Sequence, residues 1–186
     1  MRRMAATLTC GLALMLVGCT SSAEPRSANS TGTQQPDGVV TCPSSTSANG
    51  MSHKLLRQLG GATPAGFDPA SALVPSTTPS YGVACRYRGD RSKPLPLKQS
   101  QVLSPGQLET VSTRLAQAKP QRPLCLGGPF ILRPDVTLMG LSYAGGGIVW
   151  LYFGAGCAAG VSNGFFQTTD TSATSVGYMF LKRLTT

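Results

Sequence analysis

The residues that could do chemistry in this chain cluster near its end. Gly154-Ala155-Gly156-Cys157-Ala158-Ala159-Gly160 satisfies G-x-G-x-x-G after a predicted strand, the position in which a dinucleotide loop cradles a pyrophosphate. Only 26 residues follow it, too few for the remaining strands of a nucleotide-binding sheet, and Asp170 is the only acid among them. Overlapping it, Gly160-Val161-Ser162-Asn163-Gly164 fits the G-x-S-x-G nucleophile elbow, which would expose Ser162 to a general base. That arrangement orders its triad serine, acid, histidine. Here the only histidine, His53, lies far upstream, beside Lys54 and off an apolar Met51/Leu55/Leu59 stripe, as a solvated histidine would. The acids Asp68, Asp90, Glu109, Asp135 and Asp170 are scattered, with no close pair for glycosidase or metal-assisted chemistry.

A different chemistry is offered by Arg86 and Arg88. They alternate with Cys85 and Tyr87, so both face one side of a predicted strand, and Arg91, Lys93 and Lys98 follow. Such a patch suits a partner carrying phosphate or carboxylate: anionic lipid, an acidic wall polymer or an envelope protein. As a solvated strand face it would serve solubility alone.

The start of the chain sets the compartment. Arg2 and Arg3 precede an uncharged run from Met4 to Val17, the layout of an export signal and too short for a spanning helix. The run ends Leu16-Val17-Gly18-Cys19, and these four residues resemble the lipobox of bacterial lipoproteins. The resemblance is confined to this leader. It implies a signal peptide over 1–18, cleavage before Cys19, a diacylglyceryl group on that cysteine, and retention on the extracytoplasmic face of the cell membrane. Two acyl chains hold a protein stably where one does not. The paired arginines also invite a twin-arginine reading, but the flanking residues of such signals are missing.

Without its first 18 residues the chain keeps 14 basic and 7 acidic residues, a net charge of +7. Nucleic acid is not expected as a partner outside the cytoplasm. Residues 19–38, rich in Ser, Thr, Pro and Gln, lack apolar anchors and read as a tether, spanning roughly 25 Å as a flexible coil. The remaining residues 39–186 suit one domain, and the abundance of Ala, Gly, Pro and Thr resembles proteins of high-GC actinobacteria.

Cys10 leaves with the leader and Cys19 is the lipid site, so the domain keeps Cys42, Cys85, Cys125 and Cys157. An even count in an exported domain implies disulfides. Three pairings exist, and Cys42 with Cys85 and Cys125 with Cys157 is the one that suits a simple meander. No two of these cysteines stand close together, as zinc or dithiol redox chemistry would need, and no cofactor is expected.

The elements that must carry these residues can be read from capping and periodicity. Ser104, Pro105 and Gln107 open a helix whose Leu108, Val111 and Leu115 share a face and which Pro120 stops. A helix is predicted from about Gly50 to Leu59, and another closes the chain with Val176, Phe180, Leu181 and Leu184 on one side. Strands are predicted at 81–88, 99–103, 130–133, 136–143 and 148–153, the last two as a hairpin and the last buried on both faces. The expected fold is α+β: an antiparallel sheet of about five strands with two or three packed helices and two disulfides.

These features point to a non-enzymatic binding module on a lipid anchor. Its alternatives are a small hydrolase using Ser162 and an accessory or sensor subunit of an envelope complex.

Overall fold

The computed structural model describes residues 38–47, 56, 59–90, 92–121, 135–154 and 160–183. All lie in one unit, Gln34–Thr186. Its centre is an antiparallel sheet of seven strands among the described residues, in the order β1-β3-β2-β4-β5-β6-β7. The strands are β1 (Ser45–Thr46), β2 (Tyr81–Arg88), β3 (Leu95–Val102), β4 (Asp135–Ser142), β5 (Ile148–Phe153), β6 (Val161–Ser162) and β7 (Gln167–Thr168). Two helices with described bounds accompany them, α1 (Pro105–Ala116) and α2 (Thr171–Arg183).

The fold class is as predicted, α+β around an antiparallel sheet, while the count of about five strands is corrected to seven. The added strands β1, β6 and β7 are two residues each, too short to show alternation. β2 and β5 have the predicted bounds. β3 begins four residues earlier than expected, because Pro94 and Pro96 hide its start; Pro96 is tolerated beside the two-residue β1. The predicted strand at 130–133 lies outside the described residues, as does the helix at 50–59 except for Leu56 and Leu59, which are helical. The expected meander is also corrected. β3 returns beside β2, and the chain then crosses over through α1 to lay β4 on the other side of β2.

Both faces of the sheet are covered, which explains why β4 and β5 read as continuous apolar runs. On one face, Ala84, Met139, Leu141, Leu151 and Phe153 pack with Leu108, Val111 and Leu115 of α1 and Val176 and Phe180 of α2. Gly82 and Gly177 seat the helices: a β-carbon on Gly82 would lie 2.8 Å from Leu108, and one on Gly177 2.6 Å from the ring of Phe153. On the other face, Val83, Cys85, Tyr87, Leu138, Trp150 and Tyr152 pack with Val40, Leu56 and Leu95.

The Cys42–Cys85 disulfide closes the second face, as predicted, tying the segment before β1 to the centre of β2. Beside it the hydroxyl of buried Tyr87 donates to the Pro43 carbonyl at 2.9 Å, and burial pushes that phenol above its ordinary pKa. Cys125 and Cys157 lie outside the described residues.

The helix ends follow local chemistry. Gln107 accepts the backbone N–H of Ser104 at 2.8 Å, one arm of the predicted capping box. Asp170 caps α2, accepting the N–H and hydroxyl of Ser172 at 2.8 and 2.7 Å.

Candidate binding groove

The motif around Ser162 is a turn device in this fold. Ser162 ends β6, is 4% exposed, and its Oγ accepts the Gly164 N–H at 3.1 Å. Asn163 follows, its Oδ1 accepting the N–H groups of Phe165 and Phe166 at 2.9 and 2.8 Å while Gly164 supplies the left-handed φ of 91°. The chain turns back into β7 and forms no strand-to-helix crest. The Asn163 side-chain amide points the other way and lies 2.8–3.1 Å from the carbonyls of Pro69, Ala72 and Leu73. One asparagine therefore shapes a hairpin turn and clamps a distant loop onto it.

The glycine motif ahead of it is described at its two ends. Gly154 donates to the Gly160 carbonyl at 2.9 Å, and Gly160 leads into β6 rather than into a helix. Residues 155–159 of the motif lie outside the described residues.

The cationic patch is partly neutralised within the sheet. Arg86 and Arg88 share a face, as predicted, and both approach Asp135 across β4, at 3.4 and 3.5 Å. The Arg86 side chain is 13% exposed and that of Arg88 is 62% exposed. Lys93 and Lys98 are exposed nearby. The solvent-facing charge thus comes from Arg88 and the two lysines more than from Arg86. Arg91, His53 and Cys19 lie outside the described residues. Among the described residues there is no cluster of three or more His, Cys, Asp or Glu suited to a metal, and no helix long and apolar enough to cross a membrane.

A groove of about 230 Å³ opens where β5 loses its partner. Gly61, Pro64 and Phe67 form one wall, Trp150 lies at its base, and Asn163 and Phe165 form the other wall. Among the described residues that line it, none carries a charge. Each wall has a local cause. The first is held by the Ile148 N–H, which donates to the Ala62 carbonyl at 3.0 Å, and by Gly147, whose φ of 115° brings it against Pro64, where a β-carbon would lie 2.7 Å away. The second is the Asn163 turn, which leaves Phe165 49% exposed at the rim.

The base of the groove contains an interrupted edge. From β5 the Ile148 N–H reaches outward to Ala62, and the Gly154 N–H reaches outward to Gly160. Alternate residues of a strand direct their backbone groups to the same side, so Trp150 also turns its N–H and C=O outward. β6 pairs only with Tyr152 and Phe153. Among the described residues, no backbone partner meets Trp150 on that side.

No family model, curated protein or solved structure matches the chain. What the groove can do therefore rests on its own geometry. Of its described lining residues, only Asn163 belongs to a motif that the sequence marks as chemical, the one centred on Ser162. The signals that could have revealed the rest were the single tryptophan and the aromatic pair Phe165-Phe166 directly after a turn.

Proposed function

We propose that this protein is a non-enzymatic binding module of the bacterial cell envelope, held on the extracytoplasmic membrane face through lipid on Cys19, that takes a neutral ligand into the groove at Trp150. The observation that carries the reading is the groove itself: without charge among its described lining residues, walled by aromatic and proline side chains, and crossed by a backbone position with hydrogen-bonding capacity to offer. The leader supports the address, because Leu16-Val17-Gly18-Cys19 stands where a lipobox would. The tether at 19–38 would let the domain stand away from the lipid surface, and Arg88, Lys93 and Lys98 would favour an anionic surrounding.

Trp150 is the only tryptophan, so its fluorescence reports the groove directly. A saturable change in emission with N-acetyl-leucinamide or 1-octanol, weakened in Phe165→Asp, is expected. No response to either probe would refute the groove as a binding site. Mass measurement of the mature N-terminus, with and without Cys19→Ala, tests the anchor separately.

A further inference from the structure

We infer that the occupant of the groove is an extended polypeptide segment of a partner protein, paired through its backbone with Trp150 and inserting one uncharged apolar side chain. This inference rests on the binding reading above and specifies the ligand class. In an antiparallel sheet, one residue of an added strand exchanges both an N–H and a C=O bond with the residue opposite. Trp150 presents that pair of groups outward, flanked by Ala62 at one end and β6 at the other. The gap accommodates the smallest unit of strand addition, a single residue with its two bonds, rather than a full strand.

The volume agrees with a one-residue insertion. A cavity of roughly 150 Å³ holds a benzene ring, so about 230 Å³ suits one leucine-sized or aromatic side chain. The described lining disfavours charge, since a carboxylate or ammonium group seated beside Phe67, Pro64 and Phe165 would lose its hydration and meet no counter-ion among the described lining residues. The protein's own tether is a poor occupant. Residues 20–37 contain no Val, Leu, Ile, Met or aromatic residue to fill the space. A lipid chain would fill the apolar volume but leave both Trp150 backbone groups unmet.

The test uses the whole chain and its Trp150 emission. Four probes are titrated: acetyl-Thr-Leu-Thr-amide, the same peptide N-methylated at leucine, acetyl-Thr-Asp-Thr-amide, and 1-octanol. The leucine peptide is expected to bind saturably, with at least fivefold loss on N-methylation, which removes the donor to the Trp150 carbonyl, and at least tenfold loss with aspartate. Phe165→Asp, an exposed substitution that leaves the turn's backbone bonds in place, is expected to weaken the leucine peptide to a similar degree. Octanol binding with no peptide response, or a peptide response indifferent to N-methylation, would overturn the inference while leaving a binding groove in place. Silence from all four probes would overturn both.

Discussion

The indole of Trp150 lies across Gly140 on the neighbouring strand, its Cη2 and Cζ3 atoms 3.0 Å from where a β-carbon would sit. Val40 crowds the same point at 2.7 Å. The absence of a side chain on β4 therefore allows the ring at the base of the groove to lie flat. Gly140→Ala is expected to destabilise the fold by about 2 kcal/mol through overpacking. It should also displace the ring, so thermal denaturation and Trp150 emission should change together.

Asn163→Ala removes the side chain that joins the 69–73 loop to the β6–β7 turn. The carbonyls it meets would lose a buried donor, and the turn would lose an acceptor for two N–H groups. A cost of about 3 kcal/mol is expected, read as a fall in Tm of about 10 °C. Ser162→Ala, which loses one turn contact, should cost less.

Much of the scaffold was legible in the sequence because its signals are local. Ser104, Pro105 and Gln107 mark a helix start by hydrogen-bond chemistry that needs no tertiary partner, and Ile148–Phe153 is apolar at every position because both sheet faces are covered. The pairing of Cys42 with Cys85 followed from adjacency along the chain. The groove was not legible. Its walls come from residues 60–69 and 163–165, brought together by Asn163 across about 90 positions, and no periodicity encodes that contact. The Arg86 and Arg88 patch was visible as a face, but its neutralisation by Asp135 depends on β4 pairing beside β2, after the crossover.

Acid sensitivity should centre in part on Asp170. Its hydrogen bonds from Ser172, with a lesser contribution from Lys119, hold its pKa below the ordinary carboxylate value. A carboxyl depressed in the folded state contributes stability at pH above its unfolded pKa, and the contribution is lost as pH falls through the folded value. Fraying of the start of α2 is therefore expected below about pH 4, the ordinary carboxylate range. NMR titration of Asp170 should show a midpoint below that range, and Asp170→Ala should remove this part of the pH dependence.

Reduction of Cys42–Cys85 releases a constraint between residues separated by 43 positions. On the chain-entropy model that constraint stabilises the fold by about 4 kcal/mol. The double variant Cys42→Ala, Cys85→Ala should denature at a correspondingly lower urea concentration, and a reducing agent should leave that variant's midpoint unaffected by this bond.

Hydrogen exchange at the backbone amide of Trp150 tests the central claim most directly. Val149 and Leu151 direct their N–H groups to β4, and the Tyr152 N–H lies on the side covered by β6, whereas Trp150 faces the groove. On the whole chain, without ligand, the Trp150 amide is expected to exchange at least a hundredfold faster than those of Leu151 and Tyr152, and to slow when acetyl-Thr-Leu-Thr-amide is added. Protection of Trp150 equal to that of its neighbours, with no ligand present, would show that its edge is already paired and would contradict the account.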